Sequence, residues 1–234
     1  MLEYTGIFEQ QSQGIVLPSP LAHWPLNETS GTTASDTSGN GFHGTIAGGP
    51  TFLTDGIRGN AIRLEGAGDY IDFGDFFYSD TLTMACWINL TVGTSTDKNI
   101  AVKRNSSGVT SGSPVELWLR CLANETMNYR CYKGATVTDL DLTSTTVLVP
   151  GTWYHVVVSQ HGNGVTSYLY INGTQEASGT QTDVMTNTTH PFQLGVRTAN
   201  NDATYLQGMI HDFWVFNTPL TAAQVLKLYQ DTTL

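Results

Sequence analysis

Positive charge is scarce in this chain. Ten Lys and Arg stand against twenty Asp and Glu, a net charge of −10. A field of that sign repels phosphates and argues against a nucleic-acid partner. It favours divalent cations, although acidity also keeps surface proteins soluble. Cysteine is rarer still: Cys86, Cys121 and Cys131 are odd in number and lack metal-type spacing. Cys121 and Cys131 could pair across a hairpin, with buried free thiols the default alternative. No segment reaches the ~18 consecutive apolar residues that a membrane-spanning helix needs, so membrane insertion is not expected. The opening MLEYTGIFEQQSQG has neither a basic start nor an apolar run, which predicts no export signal.

What is present is a strand-forming pattern. Hydrophobic residues make up 40% of 234, charged residues only 13%, and 24 glycines punctuate the chain. Apolar residues recur along nearly the whole length, which excludes disorder. Residues 1–19 read as an arm or linker, with Leu2, Tyr4, Ile7 and Phe8 as apolar anchors able to dock on the body or a neighbouring subunit, and prolines at its end. Residues 20–234 read as one all-β domain, a two-sheet antiparallel β-sandwich. Strands are predicted around Trp24, over 61–65 and 70–73, and over 81–91. There Leu82, Met84, Cys86, Ile88 and Leu90 alternate with Thr83, Ala85, Trp87 and Asn89. Residues 114–122 and 127–133 form a hairpin, as do 152–160 and 165–171, and Asn172-Gly173 supplies a tight turn. The last long strand covers 206–216. Thr221 and Gln224 have capping-box spacing, with Leu220 and Val225 as a hydrophobic staple, so a short helix ends the chain.

In order along the chain, several segments resemble the laminin G-like, concanavalin A-like jelly-roll family. They begin with LAHWPLNETSGTTASDTSGNGFHGTIAGG. Gly59–Gly66, Asp69-Tyr70-Ile71-Asp72, Thr83–Ile88, Trp153-Tyr154-His155-Val156 and Leu169–Gly173 follow, and Leu206–Phe213 with Pro219-Leu220-Thr221 closes the set. The match spans roughly residues 21–230 and implies a jelly-roll sandwich. It says less about function, since such sandwiches serve as lectins, adhesion modules, enzyme appendages and particle components.

The resemblance implies a structural Ca2+ site in the loop Asp36-Thr37-Ser38-Gly39-Asn40-Gly41-Phe42-His43. Its ligands would be Asp36, Asn40 and the His43 carbonyl, completed by Asp212 or its neighbour on the last strand. The chain departs from the family where an acidic pair is usual: His211-Asp212 stands there, and His211 is a poor calcium ligand. Asx turns are the competing explanation for Asp36 and Asn40. Catalysis finds no support. The glucanase pattern of alternating carboxylates is absent, Asp69 and Asp72 are three apart and so on opposite faces of a strand, and Glu116 stands alone. His211 and Asp212, being adjacent, are likewise placed on opposite faces. For saccharide contact the candidates are Trp118, Tyr129 and Tyr132 on one concave face, and Tyr168 with Tyr170, which alternate with Leu169 and Ile171. Strand packing is the competing reason for each.

Two functions fit. One is a structural or display module of a larger assembly, such as a phage or virus particle decoration, with other protein subunits as partners. The other is a calcium-dependent glycan-binding module. Both place the protein on a virion or extracellular surface and neither requires an enzyme.

Overall fold

The computed structural model describes residues 14–57, 59–66, 68–76, 79–91, 93, 96–104, 115–133, 137–185, 189–197 and 204–232. In chain order the strands of the first half are β1 (Ala22–Trp24), β2 (Thr33–Ala34), β3 (Gly44–Ala47), β4 (Thr51–Gly56), β5 (Gly59–Glu65), β6 (Tyr70–Asp72), β7 (Thr81–Leu90), β8 (Lys98–Arg104) and β9 (Val115–Cys121). Those of the second half are β10 (Thr126–Lys133), β11 (Val137–Val147), β12 (Trp153–His161), β13 (Thr166–Ile171), β14 (Thr174–Thr180), β15 (Phe192–Leu194), β16 (Val196–Arg197), β17 (Thr204–Tyr205) and β18 (Gln207–Phe216). Helix α1 (Ala222–Thr232) follows.

Two antiparallel eight-stranded sheets form the sandwich. The first runs β14-β13-β12-β7-β18-β5-β4, with β1 also on β18; the second runs β11-β10-β9-β8-β15-β6-β3-β2. The inward faces meet in one continuous core. Met84, Cys86, Val156, Val158, Phe213 and Val215 of the first sheet pack with Leu117, Leu119, Met127, Tyr129 and Phe192 of the second. Each such aliphatic or aromatic side chain contributes about 1.5–3 kcal/mol relative to exposure. Trp24 anchors one end, its ring 3.8 Å from that of Phe73 and its indole N–H donating to the Phe42 carbonyl.

The local signals act as expected in several places. Asn172 and Gly173 take φ values of 50° and 76°, the paired positive values that a two-residue turn between β13 and β14 demands. At α1 the Gln224 N–H donates to Thr221 Oγ1, and the Thr221 N–H donates to Gln224 Oε1, so the capping box is formed. All three cysteines are free and buried. Cys121 lies opposite Met127 and Cys131 opposite Leu117, which separates the two thiols along the hairpin. Burial pushes Cys121 and Cys131 each up to about 12.

One expectation needs correction. The alternation in β7 suggested unlike faces, yet Thr83, Ala85, Trp87 and Asn89 are buried along with the core-facing set. The outward face is covered by α1 and the residues leading into it: Leu220, Val225 and Leu228 pack with Ala85, Val157, Tyr170 and Phe216.

Candidate functional site

The predicted aromatic residues fall into three environments. Trp118 and Tyr132 do come together, with Val102, on the outer face of the second sheet. Trp118 N–H donates to Asn99 Oδ1 at 2.6 Å, and the Arg120 guanidinium lies over its ring at 3.8 Å, within cation–π range. Arg120 also donates to Asp97 Oδ2 (2.7 Å) and Asn128 Oδ1 (3.0 Å). Asn128 in turn donates to Asp141 Oδ1 and Thr143 Oγ1, and Arg130 holds Asp141 Oδ2. The result is a layer of planar guanidinium, amide and carboxylate groups around an indole and a phenol. Trp118 and Tyr132 keep 7% and 8% of their surface exposed.

Tyr129 does not belong there. It is wholly buried in the main core, its hydroxyl bonded to Gln160, and burial pushes its phenol well above the ordinary value. Tyr129 and Tyr132 are three residues apart, and strand alternation sends such side chains to opposite faces. Tyr168 and Tyr170 do share one face, but that face lies under α1: Tyr170 is buried in the helix patch and Tyr168 packs against it. Tyr170 is therefore a packing residue. The anchors Leu2, Tyr4, Ile7 and Phe8 lie outside the described residues.

The predicted metal residues gather at a seam where β18 changes partner. Gln207–Ile210 pair with β5, whereas Phe213–Val215 pair with β1. Between them β18 bulges against β7, and Asp212 takes a φ of 57°, a left-handed value that few non-glycine residues adopt. The seam encloses a notch of about 290 Å³ lined by His23, Pro25, Asn27, His211 and Asp212. His211 and Asp212 were expected on opposite faces. They border one cavity because the bulge breaks the alternation.

Asp36 sits at the centre of its loop. Its Oδ1 accepts from the His23 and Ser38 backbone N–H groups, and its Oδ2 from the Ser38 hydroxyl and the Phe42 N–H. Asn40 donates its amide to the Leu21 carbonyl, and His43 Nδ1 accepts the Asp36 N–H. Asp212 Oδ1 lies 2.5 Å from His23 Nε2. Burial raises the carboxyls of Asp36 and Asp212, but these partners outweigh it and hold both below the ordinary range. His23 finds a carboxylate partner 189 residues away, through a pairing that neighbouring-residue spacing cannot reveal. Its other nitrogen lies 2.8 Å from Thr37 Oγ1, and its ring stacks on Trp214, centroids 3.4 Å apart.

Two packed antiparallel sheets in this strand order make a jelly-roll sandwich. The chain belongs to the concanavalin A-like lectin/glucanases superfamily, whose model matches residues 65–226. No curated protein sequence matches it. Among solved structures it is similar to the binding domain of Paraclostridial Mosquitocidal Protein 1, with 13% identity and a TM-score of 0.69 over 95% of this chain and 53% of that one. It is likewise similar to the receptor binding domain of botulinum neurotoxin C/D mosaic serotype (17%, TM-score 0.68, 91% and 51%). A third similar structure is domain 4 of AbnA, an extracellular arabinanase of Geobacillus stearothermophilus, solved with arabinotriose (20%, TM-score 0.63, 92% and 98%). The chain thus spans about half the length of the toxin domains and nearly all of the arabinanase domain. At these identities the likeness is one of fold. No helix among the described residues is long and apolar enough to cross a membrane.

Proposed function

We propose that the chain is a non-catalytic saccharide-binding module, and that the outer face of the second sheet is its sugar face. The observation that carries this reading is the layer around Trp118 and Tyr132. A pyranose presents one apolar face and a rim of hydroxyls that both donate and accept. An indole beside planar guanidinium, amide and carboxylate groups matches both features. Arg120 covers the Trp118 ring in the free protein. A sugar ring seated on Trp118 takes the place of the guanidinium, and Arg120, Asp97 and Asn128 are then at hand for its hydroxyls. Similar folds support the class: the arabinanase domain was solved with arabinotriose, and a botulinum neurotoxin DC binding domain with SialylT.

The test is a broad glycan array probed with the full chain, followed by titration of any hit against Trp118→Ala and Tyr132→Phe. Loss of one sugar–indole stacking contact predicts at least tenfold weaker binding for Trp118→Ala, on the scale of about 1.4 kcal/mol per decade. A featureless array refutes the reading.

A second reading, display on a larger assembly such as a virion or cell-surface appendage, is favoured by the path of residues 15–17. Leu17 packs against the patch under α1, and the Val16 carbonyl accepts from Gln224 Nε2. The chain therefore enters the sandwich beside α1, on the face opposite the Trp118 layer. An arm that bound other subunits there would leave the sugar face outward. Light scattering with and without residues 1–19 tests this: an assembly that survives deletion of the arm counts against it.

A further inference from the structure

We infer that an imidazole replaces a cation at the seam: His23 fastens the 36–43 loop to β18, and the seam needs no calcium. The place requires a fastener. Between the β5 and β1 pairings of β18, the backbone bond from the Asp212 N–H to the Pro25 carbonyl crosses the step. Both Asp212 and Leu26 there hold left-handed φ values, 57° and 53°, which non-glycine residues keep only where the surroundings impose them.

The donor set does not fit calcium, which takes six to eight oxygens. A carboxylate offers about four lone-pair sites, and Asp36 already accepts from four protein donors. Asn40 turns its NH2 group, not its oxygen, to its hydrogen-bond partner Leu21. The Phe42 carbonyl is taken by the Trp24 indole. No three His, Cys, Asp or Glu side chains converge to hold a metal among the described residues.

His23 supplies the link instead. Its backbone N–H donates to Asp36 and its ring meets Asp212, so one residue bridges the two carboxylates that a shared ion would otherwise join. Thr37 Oγ1 contacts the other ring nitrogen, and Trp214 backs the ring as a stacked platform. Both imidazole nitrogens are engaged and the ring plane is fixed, as a structural bridge requires.

The experiment is thermal unfolding of the full chain with millimolar calcium or with EDTA, calorimetric titration with calcium chloride, and the same melts for His23→Ala and Thr37→Val. The expected result is a midpoint equal in calcium and EDTA to within about 1 °C and no saturable heat. His23→Ala should melt about 6–20 °C lower, the range that breaking a largely buried pair gives in a chain of this length. Thr37→Val should fall by a few degrees, and because Thr37 is exposed it reports even if His23→Ala fails to fold. Saturable calcium binding, a midpoint raised by calcium, or a His23→Ala melt that overlays the parent overturns the inference. None of these readouts involves a saccharide, so the seam and the sugar face fail or stand separately.

Discussion

The two outer faces of the sandwich are both sealed, by opposite means. On the first sheet a helix does it: Val225 and Leu228 of α1, with Leu220 just ahead of it, lie over Ala85, Val157, Tyr170 and Phe216, making a second small core. On the second sheet the described side chains lie flat on one another, with Arg120 over Trp118 and Asn128 tied to Asp141 and Thr143. The apolar seal has no partner it can exchange for water without loss. Each bond of the polar seal can be traded for one to water or to a ligand hydroxyl at little net cost. Stability therefore belongs to the helix-covered face, and exchangeable contacts to the other.

The sharpest way to break this contrast is to hollow the helix patch. Leu228→Ala should cost about 2–5 kcal/mol through lost burial and a residual cavity, seen as a lower urea midpoint. The next largest effect concerns His155, which is buried between Trp87 and Tyr229 on the same face. Burial lowers its pKa from 6.5 to about 3. The neutral form is the folded form, so its stabilising contribution is complete above the unfolded value and is lost as the pH falls toward the folded one. At pH 5 that loss is about 2 kcal/mol, at 1.36 kcal/mol per unit. His155→Leu should flatten the decline in urea midpoint between neutral pH and pH 5. An unchanged slope would refute this role for His155, because the lowered carboxyls of Asp36 and Asp212 lose their contribution only as the pH falls through the ordinary value of 3.8, below this window.

The fold was legible wherever a local signal coincided with burial. The capping box of α1, the Asn172-Gly173 turn, the alternation in β7 and the hairpin of β12 and β13 were all visible in residue order. Strands at the sheet edges were not. In β14, Thr174–Thr180, most positions are polar and partly exposed, so no apolar period marks it. In β11, Leu140 and Leu142 do alternate with Asp139 and Asp141, a signal that the surrounding threonines obscured. The site was less legible for a physical reason. Placing Tyr129 beside Tyr132 neglected alternation, and placing Tyr170 in the open required knowing where α1 lies. The His23–Asp212 link depends on β1 finding β18, and the shared notch depends on a bulge that shifts the parity of every later side chain.

The smallest expected effect is the most discriminating. Arg130 and Asp141 form a pair at the rim of the polar layer with both side chains partly exposed. Exposed pairs contribute about 0–1 kcal/mol, and Asp141 keeps its bond from Asn128 when Arg130 is removed. Arg130→Ala should therefore shift the urea midpoint little, by about 0.5 kcal/mol in free energy. Its effect on saccharide titration should be larger, because the layer loses one of its guanidinium groups beside Asp141. A matching drop in stability and affinity would mean that the polar layer is a structural core like the helix patch. A drop in affinity alone would separate the two faces, one holding the fold and the other meeting the ligand.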